Sequence, residues 1–174
     1  SFWILAFSTT VRLSTQSALG VHAIPIFVWK GMGEQAGANI VGLTAGIAVP
    51  MILILGWLGD KMSKKAILLV AQVSLALGFL VLVVSESLVG LYAFVVLFAF
   101  GGNVSPVNYS ILGEYFGRTV FARLRGALGT IGVIGGLTPV YAGWIFDKTD
   151  SYSMVLMTFS GLAAAAACLL LLMR

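Results

Sequence analysis

One cation, Arg12, lies inside an apolar segment that begins at Phe2. About ten helical residues at a rise of roughly 1.5 Å each place it some 15 Å deep, near the middle of a bilayer. A charge there costs about 2.5–3.5 kcal/mol on insertion scales, so it is expected to face a polar cavity or a partner. Thr15 and Gln16 share its helical face. A guanidinium at this depth suits a bidentate pair with a solute carboxylate, or with an acidic residue outside this chain.

Other polar side chains occupy the fourth apolar segment and the end of the first. Asn103, Asn108 and Tyr109 are candidates for hydrogen bonds to a solute, or for hydrogen bonds that join helices. His22 is a candidate for proton coupling because histidine changes its charge near neutral pH, although a histidine close to the end of a span is more often interfacial. We therefore expect Arg12, Thr15, Gln16, Asn103, Asn108 and Tyr109 to line a substrate cavity.

These residues are positioned by apolar segments that fill almost the whole sequence. Hydrophobic residues make up 60% and charged residues 9% of the chain, against about 45–50% and 25% in soluble domains. Segments of this length in lipid must be helices. We expect an all-α membrane protein with one six-helix domain, 1–174, whose spans cover about 2–28, 37–58, 66–84, 88–113, 126–146 and 153–173.

The charges between the spans divide into two groups. The basic residues predicted on one side are Lys61, Lys64, Lys65, Arg118, Arg123, Arg125 and Arg174, whereas Lys30, Lys148 and several acids fall on the other side. The positive-inside rule places the first group in the cytoplasm. The prediction is a multi-pass protein of the cell membrane with both termini in the cytoplasm.

The spans also alternate in polarity. The first and fourth are polar, the second and fifth are rich in glycine and proline, and the third and sixth are almost wholly apolar and are expected to face lipid. Glycines at 126, 129, 132, 135 and 136 predict a helix-packing face. The sequences at 56–61 and 143–148 share Gly-Trp and Asp-Lys, 87 positions apart. Either this is coincidence or the chain contains two inverted three-helix repeats.

Two loops resemble those of the major facilitator superfamily. Gly56, Leu58, Asp60, Lys61, Lys64 and Lys65 follow the pattern Gly-x-Leu-x-Asp-basic-x-Gly-basic-basic, with Ser63 replacing the second Gly. The segments 113–118 and 123–126, with 142–147 and His22-x-x-Pro25, are most similar to the C-terminal half in the branch of monocarboxylate porters and oxalate–formate exchangers. The resemblance implies alternating access between this half and an N-terminal half. It also implies a cytoplasmic gate, or simply loop anchors, at Gly56, Asp60, Lys61, Lys64, Lys65, Glu114 and Arg118.

The expected function is secondary active transport, as a symporter or antiporter, of a small solute such as an organic monocarboxylate. An efflux or sugar-type facilitator of the same superfamily is the alternative, and a channel or a non-transporting helix bundle is the alternative from another class. The expected partners are the solute, the bilayer and the N-terminal half, but not nucleic acid. An enzyme is not expected, because the sequence has one His, one Cys and no acidic residue within a span. No motif predicts a cofactor or a metal.

Overall fold

A computed structural model of the protein describes residues 1–173, so the prediction made for Arg174 lies outside the described residues. These residues form a bundle of α-helices. The helices are α1 (Phe2–Trp29), α2 (Glu34–Lys61), α3 (Lys64–Val84), α4 (Leu88–Gly102), α5 (Ser105–Phe116), α6 (Arg118–Gly132), α7 (Thr138–Thr149) and α8 (Ser153–Leu171). A 3₁₀ turn, Val133–Leu137, joins α6 to α7.

The helices make six passes, because α4 with α5 and α6 with α7 each form one interrupted pass. Five segments are long and apolar enough to cross a membrane: α2, α3, α4–α5, α6–α7 and α8. The sixth pass, α1, has the necessary length, 28 residues, but carries the polar residues noted above. The bundle therefore fits a multi-pass membrane protein in which the polar residues of α1 face the interior.

The predicted basic loops meet at one end of the bundle, which we call the basic end. There, Lys64 forms an ion pair with Glu114, and the Lys65 ammonium donates to the Leu171 carbonyl at 3.0 Å. At the opposite end, the Lys30 ammonium donates to the Val83 carbonyl at 2.8 Å. The grouping of these loops agrees with the charge pattern, while the side of the membrane that each end faces stays a prediction.

The core lies along α3, α4 and α8. Phe79 is fully buried, and its ring contacts those of Phe94 and Phe159 at centroid distances of 6.0 and 5.6 Å. A Cβ placed on Gly101 would lie 2.6 Å from the carbonyl oxygen of Ala71, so the crossing of α3 and α4 requires glycine. The outer row of α3 remains exposed, as a lipid-facing helix requires.

Burial divides the helices in a way that the sequence did not predict. The helix α2 buries only Gly37, Ile40, Leu55 and Gly59, and its outer face exposes Val49, Leu53 and Trp57. The segment α6–α7 is similarly exposed, at Val133, Leu137, Val140 and Trp144 among others. These two segments, rather than α3 and α8, therefore present the largest unpacked apolar surface of the described chain.

The glycine-rich run of the fifth span packs closely against α1 over only part of its length. A Cβ on Gly132 would lie 2.8 Å from Leu13 Cδ1, and one on Gly135 would lie 3.1 Å from the Ser14 backbone nitrogen, both in α1. The glycines at 126, 129 and 136 face open space. The packing face predicted for the whole run is therefore confined to the stretch around the 3₁₀ turn.

Candidate functional site

The site is centred on the break between α4 and α5. In a continuous helix the carbonyl of Gly102 would accept the N–H of residue 106, but Pro106 has no N–H to donate. The helix stops at Gly102 and resumes at Ser105. The freed Gly102 carbonyl instead accepts from Arg12 Nη1 at 3.1 Å and from Gln16 Nε2 at 2.9 Å. One missing backbone donor thus brings two candidate residues to the same atom.

Arg12 is buried at this break, with a relative exposure of 2%. Its Nη1 also donates to the Ser105 hydroxyl at 2.9 Å, while its Nη2 is buried without a hydrogen-bond partner. No carboxylate among residues 1–173 forms an ion pair with it, since the acidic residues lie in loops or terminal turns at the two ends of the bundle. Arg12 is therefore a buried cation with an unused donor and no counter-ion in the described chain.

A cavity of about 270 Å³ lies beside Gln16, between α1, α2 and α4. Gln16 and Asn103, the first residue of the break, provide a polar corner. The rest is mainly apolar and is lined by Leu19, Gly20, Ala23, Phe27, Val41, Thr44, Ala45, Ala48, Phe94 and Phe98. Arg12 does not line the cavity, and its guanidinium is connected to the polar corner through the Gly102 carbonyl, which it shares with Gln16.

The other predicted cavity residues do not line this cavity. Thr15 is fully buried, and its hydroxyl donates to the Arg12 carbonyl within α1 at 2.8 Å. Asn108 is buried and pairs with the Thr9 hydroxyl at 3.1 Å, which joins α5 to α1. Tyr109 lies towards the basic end, with Arg125 4.7 Å from the centre of its ring. Among the candidates, Arg12 and Gln16 thus share one acceptor, and Gln16 and Asn103 line the cavity.

His22 lies in a separate contact towards the opposite end of the bundle. Its Nε2 donates an N–H to the Pro139 carbonyl at 2.9 Å, and its Nδ1 forms a hydrogen bond with the Tyr152 hydroxyl at 3.0 Å. Burial raises the pKa of the Tyr152 phenol, and the charge of Asp147 raises it further, which keeps that proton in place. His22 therefore ties α1 to α7 and to the start of α8, and proton coupling stays a prediction.

The predicted gate residues cluster at the basic end. Glu114 pairs with Lys64, whereas Lys61 lies over the Trp57 ring at 4.3 Å. Arg118 and Glu114 line a depression of about 510 Å³ between α5 and α6. Asp60 is exposed and borders a smaller depression with Gly56 and Lys64.

On α2, the close contact with α5 is made at Gly59 rather than at Gly56, which lies one turn earlier. A Cβ on Gly59 would be 3.1 Å from Val107 Cγ2, while one on Gly56 would have only Pro106 Cβ, at 4.0 Å. Sequence reasoning also missed Gly102 and Ser105 as partners of Arg12. Pro106 was the available signal for Gly102, because a proline frees the carbonyl four residues before it.

The sequence matches no protein-family model and no curated protein. The resemblance to the major facilitator superfamily therefore stays a prediction.

Proposed function

We propose that the chain forms six helices of a secondary carrier for a small organic anion, working by alternating access with a second six-helix unit. The observation that carries the proposal is Arg12: a buried guanidinium with one terminal nitrogen unpartnered and no carboxylate nearby in the described chain. A buried cation without a counter-ion is costly. A solute carboxylate supplies the missing charge and uses the bidentate geometry of the guanidinium.

The hydrogen bonds of Arg12 link solute binding to a movable joint. Asn103 and Val104 are the non-helical residues between α4 and α5, and Arg12 holds both sides of this joint through the Gly102 carbonyl and the Ser105 hydroxyl. A carboxylate that takes these donors releases the joint. This favours a solute over a fixed acidic residue as the counter-ion, because a permanent pair gives the broken helix no means of changing state.

The proposal also covers the orientation of the chain in the membrane and the inverted three-helix repeat. The basic end faces the cytoplasm under the positive-inside rule. The two related sequences lie in the last turns of α2 and α7, near opposite ends of the bundle, which supports two inverted three-helix units. The exposed apolar faces of α2 and α6–α7 provide a surface against which the second six-helix unit packs.

The test is uptake of labelled acetate and phenylacetate by liposomes that contain the full gene product. The variant Arg12→Gln keeps hydrogen-bond donors but removes the charge, and we expect the saturable uptake of both acids to fall at least tenfold, as a lost charged hydrogen bond of about 1.5–3 kcal/mol predicts. Arg123→Gln is the matched control, because Arg123 is exposed at the basic end.

Arg12→Lys separates charge from geometry in the same assay. A partial recovery indicates that charge dominates, and no recovery indicates that the planar bidentate fork is needed. Uptake of both acids that survives Arg12→Gln unchanged contradicts the proposal.

A further inference from the structure

We propose that the cavity between α1, α2 and α4 binds the hydrocarbon group of the solute, so that the preferred solute is an aromatic or branched monocarboxylic acid. This inference rests on the proposed function, because it takes the carboxylate of the solute to lie beside Arg12. It adds a second, apolar subsite with its own selectivity.

The walls of the cavity suit a ring or a branched chain. Phe94 and Phe98 are stacked with their centroids 5.5 Å apart, and Phe27 meets Phe94 edge-on at 6.3 Å. Phe27 and Phe94 are buried within a continuous apolar cluster, so this wall is held in place by the core. Aromatic rings in such arrangements gain energy from a further ring beyond the area that is buried.

The size of the cavity limits the solute. A cavity of about 150 Å³ holds one benzene ring, so by proportion the volume of about 270 Å³ holds a solute of about ten non-hydrogen atoms. Acetate leaves most of this apolar volume unfilled.

The polar corner limits the solute to one charged group. Gln16 Nε2 and Asn103 Nδ2 each use one proton on a backbone carbonyl and retain a second for a solute oxygen. Away from this corner the lining offers a second carboxylate no cation, and burial of an unpaired charge is strongly unfavourable. The site therefore favours a monocarboxylate over a dicarboxylate such as oxalate.

The cavity can be narrowed without disturbing the bundle. Gly20 lines it and is exposed at its rim, and a Cβ there would meet nothing within 4 Å. Gly20→Leu therefore places an apolar side chain in the space proposed for the solute. Gly129→Leu is the matched control, since Gly129 is also an exposed helical glycine with open space at its Cβ and lies away from the cavity.

The experiment measures equilibrium binding of acetate, phenylacetate and oxalate to the full gene product in lipid nanodiscs, with empty nanodiscs as background. We expect phenylacetate to bind at least tenfold more tightly than acetate, because each buried CH₂ contributes about fourfold, and oxalate to bind more weakly than phenylacetate. Gly20→Leu is expected to weaken phenylacetate binding at least tenfold and acetate binding less than twofold, while Gly129→Leu changes neither.

Two negative outcomes separate this inference from the proposed function. If both monocarboxylates bind alike, depend on Arg12 and are indifferent to Gly20→Leu, the carboxylate site stands and the apolar subsite is wrong. If no carboxylate binds, or if binding survives Arg12→Gln, both proposals fail.

Discussion

Arg12 donates through one terminal nitrogen to the broken helix, and the other terminal nitrogen lies buried without a partner. An unsatisfied buried donor costs about 1–3 kcal/mol, and more when it is charged. Such a cost is retained in functional sites where a ligand relieves it. At this scale the sequence predicted Arg12 and Gln16 from depth and helical face. It could not predict Gly102 and Ser105, because their role depends on which helix lies opposite.

Reversing the charges of the Lys64–Glu114 ion pair tests whether it acts as a gate contact. Glu114 is exposed, and exposed pairs contribute only about 0–1 kcal/mol to stability, so a large effect on transport would not be due to folding. Lys64→Glu and Glu114→Lys are each expected to lower uptake at least threefold in liposomes, because each places two like charges together at the basic end. The exchanged double variant is expected to recover uptake.

The unfolding temperature in detergent is measured for the two single variants and the double variant. We expect it to change little in all three. Arg123→Glu is the control for a change of charge at the same end, away from the pair. A double variant that stays as impaired as the single ones shows that the pair does not act as a gate contact.

Two of the four prolines in this bundle lie at breaks between helices. Pro25 and Pro50 lie within the continuous helices α1 and α2, whereas Pro106 and Pro139 follow the breaks in the fourth and fifth passes. At the break before Pro106, the freed carbonyl of Gly102 accepts hydrogen bonds from two side chains of α1, Arg12 and Gln16. The sequence alone does not predict a full break before Pro106, because the competing donors come from another helix.

Restoring the missing N–H tests this account of the break. In Pro106→Ala the N–H of residue 106 can bond the Gly102 carbonyl and make α4 and α5 continuous. We expect uptake of phenylacetate to fall about tenfold, as the joint stiffens and Arg12 loses its acceptor. Pro50→Ala, in the continuous helix α2, is the control, and unchanged uptake in Pro106→Ala contradicts a functional joint.

Element boundaries show a second limit of the sequence. The apolar pattern places the start of the fifth span near residue 126, but the helix begins at Arg118. The residues from 118 to 125 are charged but include good helix formers, so the helix continues past the apolar stretch. Hydropathy marks the part of a helix that suits lipid, whereas backbone hydrogen bonding decides where the helix begins. The other passes agree with their predicted bounds to within a few residues.

For the whole molecule, the bundle combines a polar central helix with two poorly covered passes. The core holds α3, α4 and α8 together, while α2 and α6–α7 expose long apolar faces. The apolar runs alone predicted that the protein is all-helical, with helices suited to a membrane. The sequence did not predict which helices are covered, because α2 is as apolar as α8, with equal hydropathy in the two segments.

Counterflow in liposomes tests most directly whether this bundle belongs to a carrier that binds its solute and changes access. Liposomes with the full gene product are loaded with unlabelled phenylacetate and diluted into a trace of labelled phenylacetate, with protein-free liposomes as background. For a carrier, we expect labelled phenylacetate to accumulate transiently above its equilibrium level inside the liposomes. This accumulation should saturate with the internal phenylacetate concentration and be absent in Arg12→Gln. Label that only equilibrates, at a rate that increases linearly with concentration and is the same in Arg12→Gln, contradicts this expectation.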